Sequence, residues 1–211
     1  MSSPEALGYS VPARFLKRVF DALMATLIVV LILPTFALLC LIVRMVDGAP
    51  VFFRQQRLGR GGALFHLIKL RSMNSGHGAS VTARDDPRIT RLGQFLRRSK
   101  LDELPQLLQV VLGQMTIIGP RPEVPSMARH WDDDARQQLI NLKPGLTDPA
   151  TLAFMEEETL LSKADDAADY YRRVLMPKKI ECSLSYFRSP SFLGDLRILG
   201  GTLKRLMKGK A

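Results

Sequence analysis

Cysteine and histidine are both scarce in this chain of 211 residues. The two cysteines, Cys40 and Cys182, cannot staple a scaffold, and Cys40 lies inside an apolar run. A secreted, disulfide-rich protein is excluded, and a reducing, cytoplasm-facing chain is expected. The three histidines, His66, His77 and His130, share no ligand spacing with one another or with the cysteines, which argues against a structural zinc site. The glycine cluster Gly59-Arg60-Gly61-Gly62 is neither a G-x-G-x-x-G fingerprint nor part of a G-K-[ST] loop, so a dinucleotide site and a P-loop are unsupported. Aromatic residues make up 7% of the chain and do not interleave with a basic face, so nucleic acid is not an expected partner. There is no internal repeat and no linker long enough to divide the chain.

What is present is apolar and basic. Hydrophobic residues make up 46% and charged residues 24%, enough to bury a core. The formal net charge is +10, unevenly placed: residues 1–111 hold 15 basic and 7 acidic side chains, residues 112–211 hold 15 and 13. The excess accompanies the most apolar segment, a conjunction that points to anionic membrane lipids. From Ala22 to Val43 there are 22 consecutive uncharged residues. As one helix they extend about 33 Å, enough to cross a hydrocarbon core. Yet Pro34 interrupts the run, and both flanks are basic: Arg14, Lys17 and Arg18 before it, then Arg44, Arg54, Arg57 and Arg60 after it. The proline forces a kink, and the flanks draw both ends to the cytoplasmic side. Two readings stay open on these features, a re-entrant helix-break-helix and a helix that crosses with a tolerated kink.

At the other end, Phe192, Leu196, Leu199, Leu203 and Leu206 form a stripe of helical period beside Arg197, Lys204, Arg205, Lys208 and Lys210. An amphipathic helix lying on the bilayer is expected there, with a helix packed on the core as the alternative. Between the ends, Val51-Phe52-Phe53 and Leu64-Phe65-His66-Leu67-Ile68 predict a hairpin over residues 50–71, and residues 74–90 a loop. Helices are predicted near 88–98, 103–112, 124–140, 149–163 and 166–180. Asp132-Asp133-Asp134 and Glu156-Glu157-Glu158 read as solvated faces without chemistry. The class is α+β, mainly helical, divided into a membrane region over residues 1–48 and a catalytic region over 49–211.

The stretch with chemistry runs from Ser99 to Gly113. Pro105 belongs in a first helical turn, which makes Asp102 the expected N-cap and Gly113 the stop. Asp102 and Glu103 then stand at the positive end of a helix, among Arg88, Arg91, Arg97, Arg98, Lys100 and, in Gly119-Pro120-Arg121-Pro122, a proline-braced arginine. Adjacent carboxylates among cations suit a divalent ion and a diphosphate. An ordinary capped helix with salt-bridged acids is the structural alternative.

Taken in order, the Pro34 segment, Lys69-Leu70-Arg71-Ser72-Met73, Lys100 to Leu107, Gly119 to Pro122, and Lys143-Pro144-Gly145-Leu146-Thr147 closely resemble the bacterial sugar transferase family. These are the monotopic polyprenyl-phosphate phosphoglycosyl transferases, and the chain looks like their minimal catalytic form; the resemblance favours the re-entrant helix-break-helix at Pro34 over a crossing helix. The resemblance implies transfer of a phosphosugar from a UDP-sugar to undecaprenyl phosphate at the cytoplasmic face of the bacterial inner membrane. It implies Asp102 as the nucleophile that carries the phosphosugar, UMP as the leaving group, and Glu103 as the ligand of Mg²⁺. Lys69, Arg97 and Arg121 match positions expected to contact phosphates. Oligomeric state is left open, a homo-oligomer included. Two departures stand out: Leu33-Pro34 where the family commonly has Ser-Pro, and Asp148-Pro149-Ala150-Thr151 where many members have a Gly-Trp-Ala-Gln run. The rival function is a catalytically silent membrane adaptor on the same scaffold.

Overall fold

The computed structural model describes residues 8–74 and 82–207. Part of the predicted 74–90 loop, and Lys208 and Lys210 of the basic terminus, lie outside the described residues.

The first element, α1 (Val11–Val46), is one 36-residue helix that runs through Pro34. The sequence reading places a break between two helices there; no non-helical residue separates them. A proline removes one backbone bond, and the turns on either side keep the rest. Ala25, Ile28, Val29, Ile32, Phe36, Leu39, Cys40 and Val43 form one stripe that packs on the rest of the molecule. Leu23, Leu27, Val30, Leu31, Leu33, Leu38 and Leu41 are more than half exposed. Both ends of α1 are docked. At its start Lys17 pairs with Asp195 at 2.7 Å, and Arg18 donates to the carbonyls of Val110 and Val111 at 2.8 and 2.7 Å. At its end Val43 is buried against Leu70 and Leu96, and Arg71 donates to the carbonyl of Gly48 at 2.7 Å.

The hairpin forms as predicted, from β1 (Phe52–Leu58) and β2 (Leu64–Leu70), paired antiparallel with Phe52 opposite Leu70. Gly61 and Gly62, at φ +71° and +77°, supply the left-handed backbone of its turn. Helix α2 (Arg91–Arg98) is capped by Thr90, whose Oγ1 accepts from the Gly93 amide at 2.8 Å. It lies so close to the end of β2 that a Cβ on Gly93 would stand 1.9 Å from the Ser72 carbonyl oxygen.

After α3 (Gln106–Val111) comes a pairing the sequence did not announce, β3 (Thr116–Ile118) parallel to β4 (Gly145–Thr147). The predicted helix over 124–140 is two, α4 (Pro125–Ala128) and α5 (Asp133–Ile140), because Asp132 caps a new start through the Ala135 amide. The span 149–163 likewise divides into α6 (Pro149–Ala153) and α7 (Glu157–Leu161). Then follow α8 (Ala167–Tyr170), a π turn over Tyr171–Leu175, α9 (Met176–Phe187) and α10 (Phe192–Met207). Ile198 and Asp195 face α10 inward, while Phe192, Leu196 and Leu203 stay exposed. The central core joins Ala25 of α1, Leu67 of β2, Leu107 and Val110 of α3, Ile117 and Ile118 of β3, and Phe187 and Ile198.

Candidate active site

Asp102 and Glu103 lie in a tight 3₁₀ turn, Leu101–Glu103, entered from Lys100 at φ +56°. The expected N-cap role of Asp102 is not met. Leu104 and Pro105 are already right-handed and Pro105 occupies the boundary of α3, so Asp102 falls three residues upstream of it. Gly113, at φ +81°, does stop the helix.

The two carboxylates are 3% and 8% exposed, yet their surroundings differ sharply. Glu103 Oε1 accepts from Lys69 Nζ at 2.9 Å and from Arg121 Nη2, and its Oε2 lies 3.4 Å from Arg121 Nη1. Asp102 Oδ1 is buried with no hydrogen-bond partner. Leaving such a group unsatisfied costs about 1–3 kcal/mol. Burial pushes the Asp102 carboxyl up from its ordinary value, against the pull of Lys69. Burial also works on Glu103, but the charges of Arg121, Lys69 and Lys100 outweigh it and hold that carboxyl well below the usual range. Neighbouring acids thus differ in kind: one is fixed in an ion-pair triad, the other is desolvated and unpartnered.

Backbone geometry brings the triad together. The end of β2 carries Lys69, and Gln109 of α3 pins that strand: its Oε1 accepts from the Ile68 amide at 3.1 Å, and its Nε2 donates to the His66 carbonyl at 2.8 Å. Arg121 follows β3, where two motifs meet. The Gly145 amide donates to the Pro120 carbonyl at 2.9 Å and the Gly119 amide to that of Thr147 at 3.1 Å. A Cβ on Gly145 would stand 2.2 Å from the Gly119 nitrogen, so both positions require glycine. The conjunction of the Gly-Pro-Arg-Pro and Lys-Pro-Gly-Leu-Thr motifs is therefore a parallel strand pair that aims Arg121 at Glu103.

Arg97 takes a different place. It pairs with Glu158 on α7, although its charge still acts on Asp102. This corrects the reading of Glu156-Glu157-Glu158 as a solvated face: Glu157 pairs with Lys179 and Glu158 with Arg97. Both line a cavity of about 630 Å³ together with Lys69, Arg97, Arg121, Glu123 and Tyr171. Asp102 and Glu103 are not among its lining residues; Glu103 is joined to it by its pairs with Lys69 and Arg121, and Asp102 lies beside Glu103 within the field of Lys69. Beside the triad, Tyr171 Oη donates to Glu123, which pairs with Arg57 at 3.7 Å. Gln109, Glu123, Tyr171 and Lys179 were not singled out from sequence. Only Glu123 carried a signal, its place directly after Pro122. Among the described residues, no three His, Cys, Asp or Glu side chains gather as a metal cluster.

Residues 12–209 match the family described as bacterial sugar transferase. The chain belongs to that family. It is 35% identical over 214 residues to a UDP-glucose:undecaprenyl-phosphate glucose-1-phosphate transferase of Xanthomonas campestris pv. campestris, a match covering 96% of this chain and 40% of that protein. A transferase of the same description from Caulobacter vibrioides is 34% identical over 199 residues, covering 90% and 69%. A UDP-N-acetylgalactosamine-undecaprenyl-phosphate N-acetylgalactosaminephosphotransferase of Aeromonas hydrophila is 30% identical over 200 residues, covering 92% and 44%. The chain thus spans about two-fifths of the length of the Xanthomonas and Aeromonas relatives. Those relatives are described with different sugars, glucose and N-acetylgalactosamine, so membership of the bacterial sugar transferase family does not name one for this chain.

Proposed function

We propose that this bacterial sugar transferase moves a sugar-1-phosphate from a UDP-sugar to undecaprenyl phosphate through a phosphosugar held covalently on Asp102. The supporting observation is the buried Asp102 carboxylate, which has an oxygen free of partners beside a cationic triad. A carboxylate stripped of water and hydrogen bonds attacks phosphorus more readily than a solvated one. Lys69 and Arg121 both face the cavity and carry charge that can hold the diphosphate while the Asp102 oxygen displaces UMP from the β-phosphorus. The phosphate oxygen of undecaprenyl phosphate then displaces Asp102 from the same phosphorus, which restores the carboxylate and gives a polyprenyl diphosphate sugar.

The residues present fit a Mg²⁺ ion that arrives with the diphosphate. Such ions use one or two carboxylates and complete their shell with phosphate oxygens and water. Glu103 Oε2, with only the 3.4 Å contact from Arg121, would be the carboxylate oxygen to join that shell. An ion held there would supply charge to offset the negative charge developing on the phosphates.

A seat of α1 in the cytoplasmic leaflet of the inner membrane, with both ends on one side, suits a lipid-linked acceptor. Both ends of α1 dock on the same body, through Arg18 at one and Val43 at the other, and this docking along the helix, not a break at Pro34, is what supports the reading. Its exposed leucines and those of α10, with their basic neighbours, supply the apolar and cationic faces for anionic lipid. The test is UMP release by purified protein given a panel of UDP-sugars, Mg²⁺ and undecaprenyl phosphate. Release with one or a few sugars supports the assignment. Intact binding of the lipid with no release from any sugar favours the silent adaptor.

A further inference from the structure

The segment after Thr147 builds one wall of the cavity, through Asp148 and Ala150. Asp148, 1% exposed, caps α6 by accepting from the Thr151 amide at 2.6 Å and also accepts from Ser183 Oγ on α9. One buried carboxylate therefore ties α6 to α9, the helix that carries Lys179, and Lys179 in turn holds Glu157 at the start of α7; both side chains line the cavity. These two pair with each other, and the Lys179 ammonium lies 5.1 Å from the centre of the Tyr171 ring.

We infer that the Glu157–Lys179 pair is the subsite that reads the sugar ring of the UDP-sugar and so determines which sugar is accepted. This rests on the transferase reading of the Asp102 site. Three observations support it. A carboxylate beside an ammonium presents an acceptor and a donor together, the complement of sugar hydroxyls, which do both. The pair faces the same cavity as Arg121, and Glu157 is near enough to add to the charge that stabilises the Arg121 guanidinium. If Arg121 holds the sugar-bearing phosphate of the diphosphate, the pair lies on the sugar side of it, with the uracil beyond a second phosphate and a ribose. Finally, the indole N–H of Trp131, on the wall of this cavity, is buried and lacks an acceptor, as expected for a donor that waits on a ligand oxygen.

The experiment compares two ligands that differ only by the sugar. Wild type, Glu157→Gln, Glu157→Asp and Lys179→Gln are assayed for kcat/KM with the preferred UDP-sugar and its epimers, and for inhibition by UDP. Thermal melts select the variants that remain folded; Glu157→Asp keeps the charge and only shortens the reach. The expected result is a loss of about ten-fold or more with the preferred sugar, a changed ranking of epimers, and UDP inhibition within two-fold of wild type. Equal weakening of UDP and UDP-sugar would overturn the subsite, because the pair would then serve the nucleotide or the fold. An unchanged ranking of epimers in every folded variant would overturn it as well. Absence of UMP release by wild type with any sugar is a separate result, which removes the transferase reading itself.

Discussion

Two adjacent carboxylates in one turn should respond to amide substitution in opposite directions. Glu103 is bound by Lys69 and Arg121, so Glu103→Gln leaves two cations facing one neutral amide. Breaking a buried ion pair costs about 3–5 kcal/mol. The Lys69 and Arg121 side chains are 21% and 31% exposed, so water recovers part of that. A loss of about 2–3 kcal/mol remains, or roughly 5–10 °C in melting temperature for a domain near 200 residues. Asp102→Asn removes a buried charge whose Oδ1 makes no hydrogen bond, so its melting temperature should stay level or rise by a few degrees. Both variants should lose UMP release. The Glu103→Gln defect should recover in part as Mg²⁺ is raised, and the Asp102→Asn defect should not. The assay is a thermal melt in detergent or nanodiscs alongside UMP release. If Asp102→Asn melts as low as Glu103→Gln, Asp102 is a paired structural acid and the argument for it as a free nucleophile fails.

The same contrast sets the pH behaviour. Asp102 is raised by burial, so the acid limb of the UMP-release profile should lie above the ordinary aspartate value of about 3.9; a limb at or below that value would contradict the burial argument. Glu103 is held below its ordinary value, so its contribution to stability is present at neutral pH and is lost only as pH falls through the depressed pKa, which acid titration of the melting temperature checks against Glu103→Gln. Arg121→Lys keeps the charge but loses the two-pronged grip, and kcat/KM should fall about ten-fold or more, roughly 1.4 kcal/mol; kinetics near wild type would reduce Arg121 to bulk charge. For topology, a Ser10→Cys label site in a Cys40→Ser, Cys182→Ser background should resist a membrane-impermeant thiol reagent in intact cells, whereas labelling from outside would show that α1 crosses the bilayer.

Features written in short-range pattern were legible from sequence, and those made by distant backbone contact were not. The hairpin was readable because aromatic and aliphatic runs flank a glycine cluster. The β3–β4 pair was not, since two three-residue strands carry no periodicity and their union depends on Gly119 and Gly145 touching. Adjacent carboxylates at an expected helix start, among cations that include Arg97 and Arg121, made Asp102 and Glu103 candidates, and family resemblance added Lys69 and the phosphate-contacting roles. That Lys69 and Arg121 both close on Glu103 and leave Asp102 bare depends on a 3₁₀ turn in place of a capped helix. Arg97 shows the limit of motif transfer, for it is held by Glu158, from a run with no recognisable chemistry in sequence. Gln109 had no signal at all, because a glutamine that completes a strand edge looks like any other polar residue on a helix.

The central claim is a covalent phosphosugar on Asp102, and mass spectrometry of the whole protein and of its peptides tests it most directly. Purified protein is mixed with Mg²⁺ and its UDP-sugar in the absence of undecaprenyl phosphate, quenched, and digested. The account predicts one equivalent of UMP per active enzyme, a mass gain equal to one sugar phosphate located on Asp102, its absence in Asp102→Asn, and its discharge when undecaprenyl phosphate is added. UMP that appears only once the lipid acceptor is present, with no adduct at any time, would contradict it and point to direct attack by the lipid phosphate.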